Sequence, residues 1–289
     1  MNIVDDINNA INYIEANICE ELAFDLIAQQ AHLSAFHFQR VFHIACGYSL
    51  GQYIRWRRLT LAGEELKKNN AKVIDIALKY GYESPDSFTK AFCKFHGFLP
   101  SCVNTVGNNL RSFEKLSLDY CIKDGYSMKC VIELKPPISL IGHGKFICFD
   151  KADIDEKFEL TKQHWLDSRE EQTQMKKCFA HNQTRIWYDV YSDFSENGFC
   201  HYIAVEDNQF VNSDKFERVS VESGLYAVFK TSCCESPESE WKTVMQTALL
   251  EWLPNTDYVL SERPQINRVI YSNDITKRCM EIWVPVEKA

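Results

Sequence analysis

Gln39 and Arg40 stand side by side in the run Ala35-Phe36-His37-Phe38-Gln39-Arg40-Val41-Phe42, with His43 next along. An amide and a guanidinium near a helix start can each make two hydrogen bonds to one base edge, Gln to adenine and Arg to guanine. Phe36 on that face offers an apolar contact for a thymine methyl. Ser87, Thr89 and Lys90 form a second set, suited to base edges or phosphates. A third set lies in Met280-Glu281-Ile282-Trp283-Val284-Pro285-Val286, where strand alternation puts Glu281 and Trp283 on one face. A carboxylate among aromatics can hold an organic cation. Burying it otherwise requires an internal cationic partner, and that reading stays open. Trp283, Tyr226, Trp187 and Tyr191 are candidate walls, though each taken singly reads as core before wall.

Other chemistry is sparse. The 12 cysteines and 8 histidines show no C-x-x-C, H-x-x-x-H or mixed pair at metal-ligand spacing, so no metal site is expected. Reduced, mostly buried thiols are expected rather than disulfides. Gly142-His143-Gly144-Lys145 is a fragment of a glycine-rich loop lying within a strand pattern, and no Ser/His/Asp elbow or phosphate loop occurs. No cofactor is expected.

These residues need elements to hold them. A chain of 289 residues, 45% apolar and 25% charged, suits two globular domains. No stretch approaches the roughly 20 apolar residues of a membrane helix, and Met1-Asn2-Ile3-Val4-Asp5-Asp6 does not read as a signal peptide, so no membrane partner and a cytoplasmic location are expected. The net charge of -8 is uneven. Residues 1–33 carry six acids and no Lys or Arg, residues 34–112 carry eleven bases against five acids, and residues 113–289 account for -8. A basic block of this kind can bind a polyanion within an acidic protein.

That block repeats itself at an offset of 50: Asp25/Asp75, Leu26/Ile76, Ala31/Gly81, Ser34/Ser84, Phe38/Phe88, Arg40/Lys90, Phe42/Phe92, Gly47/Gly97 and Tyr48/Phe98. Each copy reads as helix, tight turn, helix. Ser34 and Ser84 are N-caps, Pro85 suits the first helical position, and Gly47 and Gly97 suit the left-handed residue after a helix. A helix over 50–68, capped by Ser49 and closed by Asn69-Asn70, joins the copies. Phe38, Val41, Phe42 and Ala45, and Phe88, Ala91, Phe92 and Phe95, are the core stripes.

The run from Ala31 to Phe42, the continuation from Gly47 to Arg55, the run from Ile74 to Phe92 and Gly97-Phe98-Leu99-Pro100-Ser101 together resemble the AraC/XylS transcription regulators, in particular their MarA/Rob branch. The resemblance covers about residues 5–106. It implies an all-α double helix-turn-helix domain whose two recognition helices enter adjacent major grooves of promoter DNA, about one turn apart. Base-contact roles then fall on Phe36, Gln39, Arg40, Thr89 and Lys90. Pro85-Asp86 departs from the branch, and Asp86 would repel a phosphate. On this reading the charged groups of Arg40 and Lys90 project from one side of the domain.

Residues 107–127 read as a linker. Beyond them the period turns to alternation, with strands at 131–134, 138–149, 185–192, 201–206, 225–231, 268–272 and 277–286. Helices are expected within 154–178, broken near Asp167, and over 238–253. The order strand, helix, strand, strand occurs twice, giving an α+β domain over 128–289 with a groove between similar halves. Ser223-Gly224-Leu225-Tyr226-Ala227-Val228-Phe229, Trp252-Leu253-Pro254-Asn255-Thr256-Asp257-Tyr258 and Glu281-Ile282-Trp283-Val284-Pro285-Val286 resemble the GyrI-like effector-binding domain. This implies a small amphipathic, often cationic ligand with Glu281 as counter-charge. Asn267 departs from the family, where a Glu is common, which weakens the case for a strongly cationic ligand.

The chain is thus expected to be a DNA-binding transcription regulator with a small-molecule sensor, and not an enzyme. RNA polymerase is the further partner that the resemblance implies for activation, with repression left open. The alternatives are a GyrI-like hydrolase of small electrophiles that uses Glu281 and a tyrosine, and a DNA binder whose second half only mediates protein contacts.

Overall fold

The computed structural model describes residues 3–69, 71–105, 108–118, 130–148, 159–176, 185–195, 197–207, 216–271 and 276–289. Asn70, Phe149, Ser272 and parts of the expected linker and of the 154–178 helix lie outside them. The chain forms two compact units, residues 1–120 and 121–289.

The first unit is helical: α1 (Ile3–Ala16), α2 (Phe24–Gln29), α3 (Ala35–Cys46), α4 (Leu50–Asn69), α5 (Val73–Lys79) and α6 (Pro85–His96). The expected caps form. The Ser34 hydroxyl accepts from the His37 N–H and the Ser84 hydroxyl from the Ser87 N–H, while Gly47 and Gly97 close their helices at φ 79° and 86°, where a side chain would be strained. Ser49 and Gln52 cap each other reciprocally at the start of α4. Phe38, Val41, Phe42, Phe88, Phe92 and Phe95 are buried, while Ala45 and Ala91 are half-buried.

Residues 108–118 correct the expected linker. Phe113 is buried edge-on against Tyr48 and Tyr53 and packs on Trp56. Its N–H donates to the Thr60 hydroxyl, and its carbonyl accepts from Arg57. The Arg111 N–H donates to His96 Nδ1, and Leu118 exchanges backbone bonds with the Asn8 amide. This strap therefore ties α1, α4 and α6 together. Its turn-rich composition hid one aromatic anchor and a row of backbone bonds.

The second unit is an antiparallel sheet in the order β1-β6-β9-β8-β3-β4-β2-β5. The strands are β1 (Cys130–Lys135), β2 (Ile138–Cys148), β3 (Ile186–Ser195), β4 (Gly198–Glu206), β5 (Glu217–Val221), β6 (Gly224–Lys230), β7 (Tyr258–Leu260), β8 (Gln265–Tyr271) and β9 (Arg278–Lys288), with β7 paired to β9. The helices are α7 (Glu159–Asp167), α8 (Arg169–Met175) and α9 (Glu238–Gln246), the last widening into a π-type turn over Thr247–Trp252. β2-α7/α8-β3-β4 and β6-α9-β8-β9 are the two expected halves, and β3 against β8 is their seam. The break between α7 and α8 falls at Ser168, beside the expected Asp167. β5 and β7 were not anticipated. Gly142 and Gly144 lie in β2 where a Cβ would strike β4, so they allow close strand approach and form no phosphate loop.

Both parts of the cysteine expectation fail among the described residues. Cys233 and Cys279 form a disulfide. The eight free cysteines among the described residues are half-buried rather than buried.

Candidate nucleic-acid interface and effector site

The offset of 50 predicts that Arg40 and Lys90 play one part. They do not. Arg40 is 2% exposed, among the largest fully buried side chains, whereas Lys90 is exposed. The Arg40 base-contact expectation is corrected: its side chain is buried within the helical unit, although helical spacing sets it away from the Phe38, Val41 and Phe42 stripe. Phe36 and Gln39 are half-buried and reachable. His43 is half-buried as well, and burial pushes its imidazole down to about 4, so it carries no positive charge towards a phosphate at neutral pH. On α6, Ser87 and Lys90 are exposed and Thr89 is half-buried. Lys94, one turn beyond Lys90 and not anticipated, is exposed on that side too. Asp86 is also exposed there.

Much of the basic block is structural. Arg57 makes a two-pronged pair with Glu15. Burial raises the Glu15 pKa, but the Arg57 and Tyr53 bonds and the Arg57 charge prevail and hold the carboxyl below its ordinary value. Arg58 donates to the Ile18 and Glu20 carbonyls, and Lys79 pairs with Glu65. A count of charges cannot tell these from a DNA-facing set.

In the sheet unit the expected ligand residues divide between two faces. Tyr226, Trp283 and Glu281 lie on one. Trp187 and Tyr191 lie on the other, because alternation along β3 sends them opposite to Tyr188 and Val190, which pack with Tyr226 and Trp283. The expectation that all five line one site is therefore corrected. Glu281 is also engaged from within. Its Oε1 lies 3.0 Å from Lys230 Nζ, and its Oε2 lies 3.2 Å from Arg268 and accepts from the Trp283 indole. Burial raises the Glu281 pKa, but the Lys230 and Trp283 bonds and the Arg268 charge outweigh it and hold the carboxyl below its usual value. The Lys135 ammonium sits over the Trp283 ring, 4.1 Å from its centroid. The chain's own cations thus occupy the places an organic cation was expected to fill, and Glu281 is not a free base for hydrolysis.

The helix-covered face carries a cluster that the sequence reading missed. Asp189 and Asn267 are register partners across the seam. Trp165 of α7 donates its indole N–H to Asp189 Oδ1 at 2.8 Å, and Trp241 of α9 donates to Asn267 Oδ1 at 3.3 Å. The two halves therefore present the same device, a helix tryptophan reaching a strand acid or amide. Tyr191 accepts from the Asn267 amide, stacks on Trp241 and lies against His201. Trp187 is buried edge-on to Trp165. His201 Nε2 lies 3.3 Å from Asp189 Oδ1, and His201 Nδ1 and His164 Nδ1 are hydrogen-bonded at 2.9 Å, one ring donating and the other accepting. Burial, then the neighbouring His201, His143 and Lys145, push the His164 imidazole down to about 3. A signal was present: Trp187-Tyr188-Asp189-Val190-Tyr191 places one acid between two aromatics on a single strand face. No group of three or more His, Cys, Asp or Glu that could hold a metal occurs among the described residues, and no helix there is long and apolar enough to cross a membrane.

Two capped helix-turn-helix copies followed by a duplicated antiparallel sheet define a two-part protein, one part of DNA-binding design and one with a seam-centred cluster. Residues 27–105 match the family described as helix-turn-helix domain, and residues 131–286 match that of the integron-associated effector binding protein. The HTH-type transcriptional activator AarP of Providencia stuartii is 44% identical over 95 residues, 33% of this chain and 70% of that protein. The multiple antibiotic resistance protein MarA of Escherichia coli (strain K12) is 33% identical over 94 residues, 32% of this chain and 74% of that protein. The integron cassette protein VCH_CASS2 of Vibrio cholerae is 14% identical, with TM-score 0.36, covering 55% of this chain and 95% of that one. The chain belongs to the AraC-type helix-turn-helix transcription regulators, and its second unit belongs to the integron-associated, GyrI-like effector-binding family.

Proposed function

We propose that the protein binds promoter DNA sequence-specifically through α3 and α6 and that a small amphipathic ligand, seated on the helix-covered seam of the sheet unit, changes how it does so. The carrying observation for DNA is that Gln39 and Phe36 on α3, and Ser87, Thr89 and Lys90 on α6, remain reachable on helices whose ends are fixed by caps and whose other faces are core. Gln39 and Phe36 read base edges, Ser87 and Thr89 read edges or phosphates, and Lys90 with Lys94 holds phosphate. Activation through RNA polymerase fits a relative named as a transcriptional activator.

For the ligand, the support is the pairing of Trp165 with Asp189 and Trp241 with Asn267 at the seam of two halves, a usual place for a small-molecule site. Half-buried aromatic faces favour a flat apolar body. Asn267 is buried and bonded to both Trp241 and Tyr191, so it holds those two rings in place as walls. A positive charge on the ligand is not required, because the acid there, Asp189, already accepts two bonds.

Selection from a random duplex pool, followed by gel shifts, tests the first part. A defined motif is expected, with binding weakened by Gln39→Ala and Lys90→Ala; absence of any selected motif would overturn it. A thermal-shift screen with flat aromatic amphiphiles tests the second. Stabilising compounds should lose their effect in Tyr191→Ala and Asn267→Ala and keep it in Glu281→Gln; the reverse pattern would move the site to the other face.

A further inference from the structure

Cys233 is exposed, sits next to the free thiol of Cys234, and is bonded to Cys279 on β9. Exposed disulfides are the readily reduced and regulatory ones. This bond also has a mechanical position. Cys234 and Arg278 exchange both backbone bonds, and Thr231 and Met280 do the same through the Thr231 N–H and hydroxyl, so the disulfide lies within a short run of pairing to β9. From there two links lead to the first turns of α9. Arg278 makes a two-pronged pair with Glu238, and the Ser232 N–H donates to Glu240. Trp241 follows at once and reaches Asn267.

We propose that Cys233 and Cys279 are an oxidant-responsive thiol pair whose bond holds the segment 231–236, the start of α9 and hence Trp241 in place against the seam. With a hydroperoxide as oxidant, the Cys233 thiolate attacks the O–O bond. A sulfenic acid forms and the leaving oxygen departs as hydroxide or alkoxide, taking up a proton. The Cys279 thiolate then attacks that sulfur. The S–S bond forms, the S–O bond breaks, and a second hydroxide leaves and is protonated to water. The two thiols lose two electrons, and the peroxide gains them. A dithiol reductant reverses the bond by exchange.

The consequence for a ligand rests on the seam being the sensor site; the chemistry and the local ordering do not. The experiment uses the full chain in two states, reduced with dithiothreitol and then treated with hydrogen peroxide. Differential alkylation and peptide mass mapping should find Cys233 and Cys279 protected after peroxide, joined to each other, with Cys234 still alkylated. Amide hydrogen exchange over residues 232–241 should quicken roughly tenfold or more on reduction, with residues 186–206 unchanged. Cys279→Ser should behave as reduced in both conditions, and Cys234→Ser as wild type. Full alkylation of both cysteines after peroxide would overturn the proposal. So would equal exchange in both states, or exchange rising throughout residues 130–289. Failure of the seam as a ligand site would leave these outcomes unchanged.

Discussion

The two helix-turn-helix copies are alike in everything that builds a helix and unlike where they would meet DNA. Ser34 and Ser84 cap, Gly47 and Gly97 close, and Phe38/Phe42 and Phe88/Phe92 form the core. At one register position, however, Arg40 is inside and Lys90 is outside. A repeat in sequence transmits packing rules and does not fix which copy presents a charge. The sharpest way to break this contrast is to remove both side chains. Arg40→Ala should lose about 3 kcal/mol of stability, since it empties a large buried site. Lys90→Ala should unfold at the wild-type denaturant midpoint. Urea unfolding of the full chain measures both. Equal midpoints for the two variants would mean that Arg40 is not a core residue.

The sheet unit repeats the lesson across its seam. Trp165 reaches an acid, Asp189, and Trp241 reaches an amide, Asn267, but only the acid half has a buried histidine pair beneath it. That asymmetry has a pH signature. Burial, reinforced by nearby positive charge, lowers the His164 pKa to about 3, while in the unfolded chain it titrates near about 6.5. The unfolded state therefore binds the extra proton first. The contribution is fully retained above about 6.5 and shrinks as pH falls, reaching its limit below about 3. At pH 5 the sheet unit should have lost about 2 kcal/mol through this residue alone. His164→Gln should flatten that part of the stability profile. An unchanged profile in His164→Gln would place the pH dependence elsewhere.

How much of this could be read beforehand follows from the scale of each signal. The caps, core stripes and strand alternation are local, so Ser84-Pro85 and the patterns of β2, β3, β4, β6, β8 and β9 were legible, as was the break beside Asp167. The Cys233–Cys279 bond, the Phe113 strap and the burial of Arg40 depend on what lies opposite in space, which spacing does not record. Glu281 shows the same limit. Its face was legible from alternation, and its partners Lys230 and Arg268 come from two other strands. Asp189 carried the same local signal as Glu281 and was passed over, and its partners Trp165 and His201 come from α7 and β4, which spacing does not record.

Lys90 also sharpens the comparison in solution with DNA. If it holds one phosphate while Arg40 holds none, Lys90→Ala should weaken binding about tenfold and lower the slope of log affinity against log salt by about 0.9. The loss should be similar on every selected sequence. Gln39→Ala should instead relax one base position and leave the salt slope alone. Gel shifts at several salt concentrations separate the two. A sequence-dependent loss in Lys90→Ala would make it a base reader.

The smallest effect is expected at Glu281. Gln is nearly isosteric and can still accept from the Trp283 indole, but it gives up the charge that Lys230 and Arg268 share. Lys230 is well exposed, so water already screens much of that pair, and the stability change should stay under about 1 kcal/mol. Ligand-induced thermal shifts should be unaltered, because Glu281 lies on the face opposite Tyr191 and Asn267. A Glu281→Gln variant that keeps its stability and loses its ligand response would show that a ligand displaces Lys230 and Arg268 from the carboxylate. The two faces of the sheet would then have exchanged the roles that their internal pairing assigns.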